Sequence, residues 1–165
     1  MVEVRLSAVR VDLQSNTPVL LLAETTGIGR TLPIFVGAPE ATAIAFAIQG
    51  IVPPRPMTHD LLVEVVSSLG ARVERIVITE LREKTYYAEL HLRQATELVV
   101  VSSRPSDAVA LAVRTGSPMF VADDLMDTEG IVLPEEEEEE QSNPEELVGE
   151  FRQFLDSIRP EDFSS

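Results

Sequence analysis

Residues 53–60 read Pro53-Pro54-Arg55-Pro56-Met57-Thr58-His59-Asp60 and divide the pattern of strands and helices in two. Three prolines in four residues restrict the backbone and bias their neighbours toward extended conformations, which predicts a stiff connector. Thr58 stands where an N-cap is needed, and Asp60 falls in the first turn of a predicted amphipathic helix over residues 58–69. The connector brings the cation of Arg55, the imidazole of His59 and the carboxylate of Asp60 to one helix start. The simpler alternative is a rigid turn followed by a capped helix.

Two β-β-β-α patterns flank this connector. The first has a strand over residues 2–13, strands over 19–23 and 30–36, and an apolar helix over 41–49. Alternation in the first strand changes parity near Ser7-Ala8, which predicts a bulge or two short strands. The second pattern has strands over 72–81, 86–93 and 97–101, a helix over 108–114 and a last strand over 118–122.

The two patterns are offset by a constant distance. Pro39 and Gly50 bracket the first apolar helix, and Pro105 and Gly116 bracket the second at a shift of 66 residues. This predicts a duplicated β-β-β-α unit within one compact α+β domain, with sheets packed against apolar helices.

Composition limits the class of protein. A chain of 165 residues with 44% hydrophobic content can bury one sizeable core and carry an appendage. The absence of cysteine excludes disulfides and thiolate metal sites. There is neither an apolar run of membrane-spanning length nor a signal-peptide pattern, so we expect a cytoplasmic protein without a membrane partner.

Negative charge is concentrated in the tail. Residues 134–165 contain twelve acids and two arginines, whereas residues 1–133 account for only −5 of the net charge of −15. We therefore predict a domain over residues 1–133, an acidic linker over 134–144, and a C-terminal amphipathic helix and tail over 145–165. The apolar stripe of that helix is expected to dock on the body, a second copy or a partner. The mildly acidic body counts modestly against tight non-specific DNA binding.

No strong catalytic motif is present, and two histidines are too few for a multi-histidine zinc site. Polar residues instead cluster at predicted helix starts, and arginines precede two of them. Free N–H groups and an arginine make a fair phosphate site, while carboxylates brought together could hold a hard divalent cation. A purely structural explanation is also open, because acids at helix starts interact favourably with the helix dipole and Arg–Asp pairs often hold loops in place. Lys84, at a predicted hairpin tip, could contact a ligand or cap the sheet.

Four motifs make the chain similar to a known family. These motifs resemble those of the bifunctional nuclease domain family and cover residues 32–41, 54–60, 85–88 and 103–112. The last motif begins Ser103-Arg104-Pro105-Ser106-Asp107. The resemblance covers residues 1–133, and the tail resembles that of actinobacterial members. It implies a compact α+β fold, often oligomeric, and a nuclease acting on DNA and RNA with little base selectivity. Ser103 and Tyr86 depart from the alanine and phenylalanine expected there.

Two hypotheses follow. In the first, the chain is a nuclease assisted by Mg²⁺ or Mn²⁺ that forms a homo-oligomer, as the family resemblance implies. Its catalytic residues would be His59, Asp60 and Asp107. The metal ion would be held by Asp60, Asp107 and Glu40. The phosphate of the substrate would be bound by Arg55, Arg104, Ser106 and Lys84. In the second, the same residues buttress loops or bind an anion in a non-catalytic interaction module, and the C-terminal helix recruits a partner.

Overall fold

The computed structural model describes residues 1–133, which form one eight-stranded sheet and four helices. The first half comprises β1 (Val2–Asp12), β2 (Thr17–Glu24), β3 (Arg30–Phe35) and α1 (Ala38–Ile48). After α2 (Thr58–Ser68) come β4 (Ala71–Arg82), β5 (Thr85–Gln94), β6 (Glu97–Ser103) and α3 (Pro105–Thr115). The last elements are β7 (Met119–Val121), α4 (Asp123–Glu129) and β8 (Ile131–Val132). The α+β class is confirmed; the predicted linker 134–144 and C-terminal segment 145–165 lie outside the described residues.

The two β-β-β-α units lie on either side of β7. The strand order is β6-β5-β4-β7-β1-β2-β3-β8. β7 pairs antiparallel with β1 and parallel with β4, and the remaining pairings are antiparallel. Because β7 hydrogen bonds to both units, the sheets expected of the units are joined into one. A common ancestry of the units stays a prediction.

The predicted bulge in the first strand is present. The register of β1 against β2 shifts between Leu6 and Ala8. Val4 and Val9, on opposite sides of this shift, both join the main core. Because a strand alternates faces, they could not share a face without the extra residue.

The helices cover one face of the sheet. α3 packs against β4, β5, α1 and α2, and its residues 108–112 are at most 1% exposed. Three of those five residues are alanine, whose small side chains let neighbouring elements approach closely. α3 is therefore the centre of the helical layer, and its N-terminal end is held in a fixed position.

α2 differs from its prediction in two respects. Its N-cap is Met57, whose N–H donates to Asp60 Oδ2 at 3.0 Å, so Thr58 is the first helical residue and not the cap. Its inward side contains His59 and Val63, while most of its apolar residues are exposed to solvent. The exposed set is Leu61, Leu62, Val65 and, just after the helix, Leu69.

α4 and β8 were not predicted from the sequence. α4 is a seven-residue acidic helix, and β8 has two residues that pair with the start of β3. Arg30 joins these parts, since its guanidinium bonds to Glu24 of β2 and Asp127 of α4. Within residues 1–133, no helix is long and apolar enough to cross a membrane.

Candidate active site

The N-terminal ends of α1, α2 and α3 meet because α3 packs against both other helices. Glu40 lies in the first turn of α1, His59 in that of α2 and Asp107 in that of α3. Arg104, the N-cap residue of α3, connects them: its Nη1 donates to Glu40 Oε1 at 2.9 Å. His59 Nε2 lies 2.9 Å from Asp107 Oδ1. We call these four residues the Arg104 cluster.

Arg104 and Asp107 form a bidentate pair. Arg104 Nε donates to Asp107 Oδ2 at 2.7 Å, and Nη2 donates to Oδ1 at 3.0 Å. This pairing raises the pKa of the Arg104 guanidinium above its usual range, so its charge is permanent. A guanidinium has five N–H donors, and the contacts to Asp107 and Glu40 use three. Two donors remain on a side chain that is 64% exposed.

His59 supports this pair from the protein interior. The residue is 9% exposed, and its Nε2 contacts a carboxylate that can only accept hydrogen bonds. Nε2 therefore carries a proton in this arrangement. Burial tends to raise the pKa of Asp107, but hydrogen bonds from Arg104 and His59 outweigh burial and hold that pKa below its ordinary value. Asp107 is thus a fixed anion that orients Arg104.

Gly37 leaves room for the Glu40 carboxylate. A Cβ at position 37 would overlap Glu40 Oε2. Gly37 has φ of −73°, which any residue can adopt, so space rather than backbone conformation favours glycine here. The sequence alone does not reveal this role of Gly37, because the role depends on how the Glu40 side chain folds back.

A surface cavity of about 330 Å³ opens beside the cluster. Its polar wall includes Glu40, Arg104 and Ser106, and the tip of the β4–β5 hairpin contributes Lys84 and Tyr86. Burial, and secondarily the charge of Glu129, raise the pKa of Tyr86, so its hydroxyl stays protonated at neutral pH. Four expected site residues thus line one cavity (Glu40, Lys84, Arg104 and Ser106), whereas His59 and Asp107 do not belong to its wall.

Asp60 faces a different part of α3. Its Oδ1 accepts from Arg114 Nε at 2.7 Å, and Arg114 also donates to the carbonyl oxygens of Ala43 and Ala110. Arg114 follows Asp107 by seven residues, which is about 10 Å along a helix. The hydrogen bond from Arg114 is the main cause that lowers the pKa of Asp60. The structure therefore does not bring Asp60 into the Arg104 cluster. Arg114, a lone cation near the end of an apolar helix, was missed by the sequence reasoning.

The metal-ligand set expected from the sequence does not assemble. Asp60 is paired with Arg114, while Glu40 and Asp107 are both paired with Arg104. Within residues 1–133, no three His, Asp or Glu side chains are grouped so that they could hold a metal ion. Arg55, the remaining expected phosphate ligand, is exposed in the connector before α2 and does not line the cavity.

Comparisons with known proteins show which family the chain belongs to. A family model described as the bifunctional nuclease domain matches residues 20–134. An uncharacterized protein of Mycobacterium tuberculosis is 42% identical over 99% of this chain and 98% of its own length. Bifunctional nuclease 1 of Arabidopsis thaliana and bifunctional nuclease 2 of Oryza sativa subsp. japonica are each 30% identical over 69% of this chain. The chain covers only 36% of each plant protein. The chain belongs to the bifunctional nuclease domain family.

Proposed function

We propose that this chain is a cytoplasmic nuclease that hydrolyses phosphodiester bonds in DNA and RNA with little base selectivity. The observation that carries the proposal is Arg104, fixed by two carboxylates at the wall of a cavity with donors left for a ligand. The membership in a family named for nucleases and the plant relatives' names support the same function. We also propose that the functional form is a homo-oligomer.

The cavity has the features of a phosphate site. The starts of α1 and α3 both reach it, and the N-cap residue of neither helix, Gly37 or Arg104, caps the helix with a side-chain hydrogen bond. Such ends carry a partial positive charge and free donors. The two remaining donors of Arg104, the ammonium of Lys84 and the hydroxyl of Ser106 add to them. These groups recognise a phosphate and not a base, which accounts for low base selectivity.

Glu40 is the group that we assign to the chemical step. Its carboxylate is the anionic group in the cavity wall, and the absence of a side chain at Gly37 leaves space for its Oε2. Glu40 would accept a proton from the attacking water as the water oxygen bonds to phosphorus. The bond to the departing sugar oxygen breaks, and that oxygen takes a proton from solvent. Arg104 and Lys84 stabilise the charge on the phosphate oxygens.

His59 and Asp107 act through Arg104 in this proposal. They lie behind the cavity wall and hold the guanidinium in one orientation. The sequence analysis counted His59 and Asp107 among the catalytic residues, whereas here both are positioning residues.

Dependence on Mg²⁺ or Mn²⁺ stays a prediction. The described residues do not supply a three-ligand site, so no step above depends on a protein-bound cation. Magnesium is often held by one or two carboxylates together with substrate phosphates. Glu40 is placed to take part in such binding, and the assay must therefore include both cations and a chelator.

The test is cleavage of labelled single-stranded DNA and RNA oligonucleotides by the full chain. It is run with Mg²⁺, Mn²⁺ or chelator, and with Arg104→Gln and Arg82→Gln variants purified identically. Arg82 is a matched control because its side chain is also well exposed, at 59%, and it does not line the cavity. We expect cleavage by wild type and Arg82→Gln and a large loss in Arg104→Gln. Equal cleavage by all three proteins would refute the site.

A non-catalytic binding module is the second candidate. It is favoured by one observation: each acid near the cavity is already paired with arginine, as in a purely structural network. This candidate predicts that an oligonucleotide binds in an Arg104-dependent manner and is never cut under any of the metal conditions.

A further inference from the structure

Strand β6 is an open edge of the sheet. It is the first strand in the order, and its one strand neighbour among the described residues is β5. Leu98, Val99, Val100 and Val101 are consecutive and each is 40–48% exposed. Because strand residues alternate between faces, apolar side chains are exposed on both faces of this edge.

This edge lacks the usual protection against pairing. Exposed edge strands are commonly very short, bulged, or interrupted by lysine or proline. The register of β6 against β5 runs without a shift over seven residues, and Glu97 is its one charged residue. The opposite edge, β8, has only two residues. A long, regular, apolar edge is therefore found on one side of the sheet only.

We propose that β6 pairs antiparallel with β6 of a second copy of this chain, which makes one continuous sheet across a two-fold axis. The axis passes beside Val100. This register pairs all seven residues and places Glu97 opposite the partner's Ser103, so the like charges of the two Glu97 residues are at opposite ends. Leu98 then faces the partner's Ser102. Isologous contacts of this kind are the commonest form of homo-oligomer.

Leu69, the residue that follows α2, extends the same surface. Gln94 pairs with Glu97 at the start of β6, and its side chain donates to the carbonyl oxygen of Leu69, just after α2. Leu69 thus lies next to the start of β6 on the helical side of the sheet. The area buried by pairing seven residues alone would be smaller than that of a stable interface, which usually buries about 800 Å² per partner. Leu69, which is 67% exposed, supplies further apolar area beside the paired strands.

The pairing also reaches the candidate active site. Arg104 directly follows Ser103, the last residue of β6. Each copy therefore places the start of its β6 next to the other copy's Arg104 cluster. This inference does not depend on nuclease activity, and its test is independent of cleavage.

Cysteine cross-linking tests the register, because the natural chain contains no cysteine. Directly opposed residues in an antiparallel pair have Cα atoms about 4.5–5.5 Å apart, within the range of a disulfide. Under mild oxidation, Val100→Cys should form a covalent dimer. Val132→Cys, on the opposite edge, should not. A mixture of Leu98→Cys and Ser102→Cys should give the hetero-dimer in preference to either homo-dimer. Equal cross-linking of Val100→Cys and Val132→Cys would overturn the proposal.

Sedimentation of the full chain at micromolar concentration provides the second measurement. Wild type and Val132→Lys should sediment as oligomers, and Val100→Lys should move to a smaller species while keeping its circular dichroism spectrum. Deletion of residues 134–165 should leave the oligomer intact. A monomeric wild type, or dissociation caused by the deletion and not by Val100→Lys, would overturn the pairing.

Discussion

Replacing Arg114 by methionine should destabilise the fold without touching the cavity. The guanidinium connects all three long helices: it bonds to Asp60 of α2, to the Ala43 carbonyl of α1 and to the Ala110 carbonyl of its own helix. A hydrogen bond to a charged group contributes about 2 kcal/mol, and the two carbonyl contacts together add about 1 kcal/mol. We therefore expect a loss of about 3 kcal/mol in the free energy of unfolding, or about 10 °C in Tm for a chain of this size.

Urea and thermal unfolding of Arg114→Met measure this loss. Arg82→Met is the control, because Arg82 is exposed and its nearest carboxylate oxygen, on Glu80, is 3.7 Å away. The control should change stability by no more than about 1 kcal/mol, because Arg82 also lies over the Tyr87 ring, 4.4 Å from its centroid. If Arg114→Met unfolds like wild type, the reasoning that assigns Asp60 a structural role is refuted.

The same pair gives a dependence on pH. The Arg114 hydrogen bond lowers the pKa of Asp60 from its ordinary value of 3.8. A carboxyl with a lowered folded-state pKa stabilises the fold above its unfolded pKa, and this stabilisation is lost as the pH falls through the folded value. The stability difference between wild type and Asp60→Asn should therefore shrink below about pH 3.8. A difference that stays constant down to pH 2 would contradict the assignment.

Three further predictions concern the cavity. Gly37→Ala should keep the fold but displace the Glu40 carboxylate, and should lower kcat for oligonucleotide cleavage; unchanged kcat would contradict this. Lys84→Ala should weaken oligonucleotide binding and reduce the slope of log affinity against log salt by about 1, as measured by fluorescence anisotropy at several salt concentrations. His59→Gln should weaken binding while His91→Gln does not, although both histidines are 9% exposed and contact a carboxylate through Nε2; equal effects would refute a positioning role.

Local signals in the sequence predicted most of the fold. Alternation, proline and glycine positions identified seven of the eight strands and the three long helices, and a parity change located the bulge in β1. These features depend on neighbouring residues only. α4 and β8 are stabilised by contacts such as Arg30 with Asp127, which are distant in sequence, and their own residues carry no clear periodic signal.

The grouping of the candidate site residues was predicted in part, for a similar reason. The sequence singled out polar residues at helix starts, and the fold does bring Glu40, Arg104 and Asp107 together. The sequence could not show which arginine each acid would pair with. His59 and Asp60 are adjacent in sequence, yet one contacts the first turn of α3 and the other its last turn. Only the crossing of α2 over α3 decides this.

The most direct test of the account is the cleavage rate of Glu40→Gln beside Glu74→Gln. Both glutamates are paired with an arginine, Glu40 with Arg104 and Glu74 with Arg93, but only Glu40 lines the cavity. Glutamine keeps the size of the side chain and removes its ability to accept a proton. We expect kcat to fall about 100-fold or more in Glu40→Gln and to be unchanged in Glu74→Gln. A Glu40→Gln protein that folds and cleaves at the wild-type rate would contradict it.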